Sequence, residues 1–187
     1  MRTTSASATR RRVAVKSATV PTLYYLAYGS NLHPLRLAER VPSARFMGLA
    51  TLPGYRLAFH KRGSDGSGKC NILATGATGD RVHGAVFVMA TGHRPLLDRF
   101  EGPGYRTEAL PVTLSEGAVT AFAYVAETSC IDEELRPWAW YRDIVYRGAC
   151  YHALPASYRE AIARVAARAD PDAAREAHHR ALLARLG

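Results

Sequence analysis

Two stretches of this chain carry residue types that could do chemistry. The first is Tyr25-Leu26-Ala27-Tyr28-Gly29-Ser30-Asn31, an uncharged aromatic and aliphatic run broken by a glycine and two capping residues. A strand that turns here into a helix begun by His33-Pro34 would aim several backbone N–H groups into one mouth, where they could hold a carboxylate or an oxyanion. An ordinary strand-to-helix turn is the other reading. The second stretch is the helix expected over Arg94 to Glu101, opened by Pro95 and stopped by Gly102-Pro103-Gly104. At about 100° per residue, Leu96, Leu97 and Phe100 share an apolar arc and Glu101 sits one step beyond Leu97. That position suits either a boundary residue or a partly buried acid. Asp98 lies further round, toward solvent.

Other chemistries find less support. Ser30 lacks the G-x-S-x-G elbow of a serine nucleophile. His33, His60, His83, His93 and His152 are scattered, and the adjacent His178 and His179 cannot share a helix face, so no metal site is expected. No phosphate-loop or dinucleotide fingerprint occurs. Trp138, Trp140 and Tyr141 beside Arg136 and Arg142 give only a weak hint of a base-stacking surface. His83 reads as a hydrogen-bonded structural residue rather than a base.

The elements that must position these residues follow from patterning. At 187 residues and 48% hydrophobic, the chain can bury one sizeable core, expected over residues 21–187. Two extended segments flank Pro53-Gly54, the second alternating through Tyr55, Leu57 and Phe59. Gly63 to Lys69 reads as a mobile loop, and Asn71 to Thr75 as a short strand. Val82 to Met89 is nearly continuously apolar, as a strand buried on both faces would be. Tyr105 to Leu114 and Val119 to Val125 read as a strand pair, with Phe122 and Tyr124 on one side. Pro155 opens a helix with Tyr158, Ile162 and Val165 on one face. Asp170 and Pro171 read as N-cap and N1 of another, striped by Ala177, Leu183 and Leu186. Many short strands before terminal helices indicate an α+β fold with a compact barrel or strongly curved sheet.

The formal net charge of +9 suggests a nucleic-acid partner until it is located. Arg2, Arg10, Arg11, Arg12 and Lys16 supply much of it, and no acidic residue precedes Glu39. Residues 1–20 therefore read as a flexible basic arm, with no dedicated nucleic-acid site. Deleting them should leave kcat/KM within about twofold; a hundredfold loss would show that the arm completes the site. No apolar run approaches the roughly 18 residues of a membrane span, so no membrane partner is expected. Cys70, Cys130 and Cys150 are odd in number and lack C-x-x-C spacing, which reads as three buried, reduced thiols in a cytoplasmic protein.

Three separated motifs resemble one family. They are Tyr-x-Ala-Tyr-Gly-Ser-Asn-Leu at 25–32, Leu97-Asp-x-x-Glu101-Gly102 with Tyr105 following, and Gly148-Ala149 before Leu154-Pro155-x-x-Tyr158. Together with Asn71-Ile72 and Val82-His83-Gly84-Ala85-Val86, they are similar to the γ-glutamylcyclotransferases over roughly residues 23 to 165. Ala153 departs from the family, which usually has Gly there. The resemblance implies a small mixed β-barrel ringed by short helices, with a cavity at one end. It also implies a cofactor-independent acyl transfer (a lyase reaction): the glutamyl α-amine attacks its own γ-carbonyl and releases 5-oxoproline with an amine or amino acid. Carried over by position, Glu101 would be the general base and acid, residues Tyr25 to Asn31 would hold the substrate, and Tyr141 would contact it. Tyr105 and Tyr124 are added here as cavity wall. Metal: none is expected.

Alternatives within enzymes are relatives acting on a γ-glutamyl amine or a γ-glutamylated biosynthetic intermediate. From another class, a non-catalytic protein of the same fold would keep the cavity for a carboxylate or amide ligand. Glu101 argues against it, since a binding site for an anionic glutamyl group gains nothing from another carboxylate. A homodimer is compatible with all of these readings.

Overall fold

The structure is a computed structural model that describes residues 20–187. The basic arm at 1–20 falls, but for Val20, outside the described residues. Strand β1 (Thr22–Ala27) is the middle of a five-stranded mixed sheet in the order β2-β5-β1-β7-β6. β5 (Arg81–Ala90) runs antiparallel to β1 and also to β2 (Arg45–Pro53), with a bulge between Phe46 and Gly48. On its other side β1 lies parallel to β7 (Gly117–Ala126), Tyr25 opposite Phe122. β7 forms a hairpin with β6 (Tyr105–Leu114). The sheet curls until its two edges meet, Gly48 of β2 packing against Leu114 of β6. A second ribbon, β3 (Tyr55–Arg62) with β4 (Gly68–Ala74), packs against this half-barrel.

Sequence patterning accounts for much of this. In β5, Val82, Ala85, Val86, Phe87 and Met89 are all buried, as befits a strand paired on both sides. Each large apolar side chain so buried contributes about 1.5–3 kcal/mol. His83 is structural: its Nδ1 lies 2.9 Å from Thr51 Oγ1 and its ring meets Tyr158 edge-on. Ile162 is buried, with Tyr158 and Val165 partly so, placing the expected face of α4 (Ala156–Ala163) against the core.

Five local expectations are corrected. The Gly63 to Lys69 stretch is a tight turn followed by the start of β4 at Gly68. Asp65 Oδ1 accepts from the Ser67 backbone and hydroxyl, and Asp65 Oδ2 pairs with Lys69 Nζ at 2.7 Å. α5 (Ala173–Arg185) is capped by Asp172, whose side chain accepts from Arg175 N, and not by Asp170. Asp170 turns inward to accept from Trp140 Nε1 and Arg175, the guanidinium holding its carboxyl well below the usual range. The α5 stripe is Leu182, Leu183 and Leu186, with Ala177 exposed. Trp138, Trp140 and Tyr141 are core residues, buried at the start of α3 (Ala139–Tyr151), so they form no stacking surface. Of the cysteines only Cys70 is fully buried; all three are free thiols.

Ala153 stands at a position that suits glycine better. α3 ends in a Schellman motif, with Leu154 N donating to Ala149 O and Ala153 N to Cys150 O. Ala153 occupies its left-handed position at φ 48°, where a side chain is strained. Ala153→Gly should therefore raise stability by up to ~1 kcal/mol, the relief of strain outweighing glycine's extra unfolded-state entropy. A lower thermal midpoint in the variant would contradict this.

Candidate active site

α1 (Pro34–Arg40) and α2 (Arg94–Glu101) bring the two sequence motifs together. After β1 the chain turns through Gly29 to Leu32, with Leu32 N donating to Gly29 O at 2.9 Å. The helix cap is His33, whose Nδ1 accepts from Leu35 N at 3.3 Å, rather than Ser30 or Asn31. That frees Asn31 for another task. Its side chain is 2% exposed, and its Nδ2 donates to Glu101 Oε1 at 2.6 Å and to Tyr25 Oη at 3.2 Å. Arg40 donates to Asn31 Oδ1 at 2.8 Å, which fixes the amide orientation.

Glu101 is the last residue of α2, and Gly102 takes φ 71° so that the chain can leave immediately after it. The carboxylate lies on the partly buried shoulder, resolving the two readings in favour of the acid. Its pKa is raised, chiefly by burial, against the opposing pull of Arg40, Arg36, Lys61 and the Asn31 amide. Its place at a helix C-terminus also disfavours negative charge. The expected apolar arc is corrected at one point: Leu97 is fully buried, but Phe100 is 55% exposed, with Arg40 over its ring. Asp98 is exposed, as expected, and its Oδ1 accepts from Tyr124 Oη at 2.5 Å.

A small recess of about 20 Å³, room for a water-sized group, lies between this carboxylate and a cage of tyrosines. Tyr25, Tyr28, Tyr105, Tyr124 and Tyr141 all line it, together with Gly29, Ser30 and Asn31. Leu26 and Ala27 belong to the same strand but are packed in the core, away from the recess. Tyr28 Oη donates to Tyr124 O. Tyr141 and Tyr105 hold the two backbone polar groups of one residue: Cys70 N donates to Tyr141 Oη at 3.2 Å, and Tyr105 Oη to Cys70 O at 2.6 Å. Burial raises all five phenols and pushes the Cys70 thiol up to about 12, so these groups stay neutral at ordinary pH. Among the described residues no acceptor is found for the N–H groups of Gly29, Ser30 and Asn31, which leaves donors at the recess wall.

Ser30, Glu101, Tyr105 and Tyr141 also line a wider outer cleft of about 610 Å³. Its wall contains residues that sequence reasoning missed, among them Arg36, Lys61 and His179. The i, i+4 spacing of Arg36 and Arg40 on α1 was a signal that one helix face carries both. Nothing local marks Lys61 or His179, which come from β3 and α5. Among the described residues no three His, Cys, Asp or Glu side chains cluster as a metal site would require.

The curled half-barrel thus closes on a tyrosine cage and one partly buried carboxylate of raised pKa. The chain belongs to the γ-glutamyl cyclotransferase, AIG2-like family, whose model matches residues 25–142. Human γ-glutamylcyclotransferase is 32% identical over 143 residues, covering 73% of this chain and 74% of that protein. The bovine enzyme of the same name is 31% identical over 143 residues. Among solved structures, a γ-glutamyl cyclotransferase superposes with a TM-score of 0.74 at 24% identity, over 88% of this chain and 99% of its own. A human protein described as uncharacterised gives 0.71 at 26% identity, over 87% of this chain and 98% of its own. α5, and with it His179, lies beyond the matched family segment.

Proposed function

We propose that this chain is a γ-glutamyl cyclotransferase, using Glu101 as its single acid–base group and no cofactor. One observation carries the reading: the raised-pKa Glu101 carboxylate, pinned by Asn31 at 2.6 Å, stands where the tyrosine-lined recess opens into the cleft. Such a carboxylate holds its proton to higher pH than an exposed one, which suits it to proton exchange.

The glutamyl group lies in the outer cleft and its α-carboxylate reaches in to the N–H donors of Gly29, Ser30 and Asn31 at the mouth of the recess. Glu101 takes a proton from the α-ammonium, freeing its lone pair. The amine attacks the γ-carbonyl carbon, a C–N bond closes the five-membered ring, and the carbonyl oxygen carries the charge. Collapse breaks the bond to the departing nitrogen. Two protons leave the glutamyl nitrogen and two reach the departing one, Glu101 carrying them in turn, so 5-oxoproline and an ammonium product result. Nucleophile and electrophile share one molecule, and the enzyme's contribution is chiefly positioning. A mass-spectrometric screen of γ-glutamyl dipeptides, γ-glutamyl amines and glutathione tests the proposal. 5-Oxoproline release from at least one class supports it, and none from any class rejects it.

A further inference from the structure

The outer cleft has a charge imbalance larger than Glu101 alone can offset. Six cationic side chains line it, Arg36, Arg40, Lys61, Arg62, Lys69 and Arg99, against the single carboxylate of Glu101. Two of the six are matched elsewhere: Lys69 by Asp65 at 2.7 Å and Arg62 by Asp132 at 3.2 Å. Arg40 and Lys61 donate only to neutral oxygens, those of Asn31 and Pro103. Arg36 is the decisive case. It is 7% exposed, its Nε is buried without a partner, and among the described residues its side chain makes no hydrogen bond or ion pair.

A buried guanidinium left unpaired is costly, and burial already pulls Arg36 down to about 9, although it stays charged at neutrality. His179, stacked on Trp140 at 3.6 Å, also has a buried Nδ1 with no partner in the same wall. A glutamyl end bound at the recess brings one carboxylate and one ammonium, so it cannot balance this surplus. The rest of the substrate must.

We propose that the outer cleft is an anion subsite for the departing amine, and that the preferred substrates release an amine bearing two negative groups, an acidic amino acid being the simplest. This rests on the cyclotransferase reading. Arg36 and His179 would hold the distal anionic group, with Lys61 and Arg99 contributing field at the mouth.

The test compares kcat/KM for γ-glutamyl-glutamate, its near-isostere γ-glutamyl-glutamine and γ-glutamyl-O-phosphoserine, followed by 5-oxoproline release. Either anionic substrate should exceed the glutamine one by ~10-fold or more, and whichever leads tells carboxylate from phosphate. Arg36→Met removes the charge while keeping an apolar stem. It should fold with an unchanged or higher thermal midpoint and cut the preference to about threefold or less. Rates for the acidic and neutral substrates within about twofold in the wild type would overturn the subsite and leave the cyclotransferase reading standing. A full preference surviving Arg36→Met would overturn the role of Arg36. No 5-oxoproline from any of the three would sink the subsite, and the cyclotransferase reading would fall with it only if γ-glutamyl amines and glutathione also released none.

Discussion

Glu101→Gln is expected to bind substrate and lose turnover by about 10²-fold or more. Glutamine keeps the shape and can still accept from Asn31 Nδ2, which lies 2.6 Å from Oε1 in the wild type, but it cannot take a proton. The acidic limb of the wild-type kcat/KM profile should have its midpoint above the ordinary carboxylate range, because burial raises Glu101. The same shift has a stability consequence. Between the unfolded and folded pKa values the native state binds more protons, so this contribution to stability is largest at low pH and declines as pH rises through the window. Glu101→Gln removes that decline and should be at least as stable as wild type at neutral pH. Asp98→Asn is the control. Asp98 is exposed and serves Tyr124 only as an acceptor, a role that Asn retains, so its effect should be much milder. Full activity in Glu101→Gln with loss in Asp98→Asn would move the catalytic acid to Asp98.

Gly29→Val should also cost about 10²-fold in kcat/KM, and for a different reason. Gly29 needs no left-handed backbone, since none of the positive-φ glycines is this one. What excludes a side chain is β4. A Cβ at Gly29 would stand 3.0 Å from Cys70 Cβ, 3.4 Å from Cys70 Sγ and 3.8 Å from Tyr141 Oη. Valine adds two further methyl groups into that gap, an overpacking worth roughly 1–3 kcal/mol. The displaced residue, Cys70, is the one whose backbone N–H and C=O Tyr141 and Tyr105 hold, so the tyrosine cage shifts with it. Circular dichroism should show a folded protein with a lowered thermal midpoint, and kinetics the loss of turnover. Normal kinetics in a folded variant would remove this turn from the site.

Where local chemistry decides a feature, the sequence showed it. Pro95 and Gly102 bound α2 at Arg94–Glu101, and the unbroken apolar run marks β5. Glu101 was legible as a shoulder residue, but spacing could not separate a boundary residue from a buried acid. The deciding fact is an amide 70 positions away in sequence, Asn31. Caps were misplaced where a competing tertiary bond won: Asp170 is drawn off by Trp140 and Arg175, and Asn31 by Glu101. Phe100 leaves the apolar arc for the cleft mouth, where Arg40 covers it. The cationic wall was illegible because its members come from α1, β3, β4 and α2 and meet only in three dimensions.

The central claim is that water takes no part in bond cleavage. Turnover of a γ-glutamyl dipeptide in ¹⁸O-enriched water, read by mass spectrometry, tests it directly. Intramolecular attack keeps the γ-carbonyl oxygen and expels the amine, so 5-oxoproline should appear without label, in step with the amine. Glutamate carrying one ¹⁸O in its γ-carboxylate, formed at the rate of amine release, would make the chain a hydrolase and contradict the account.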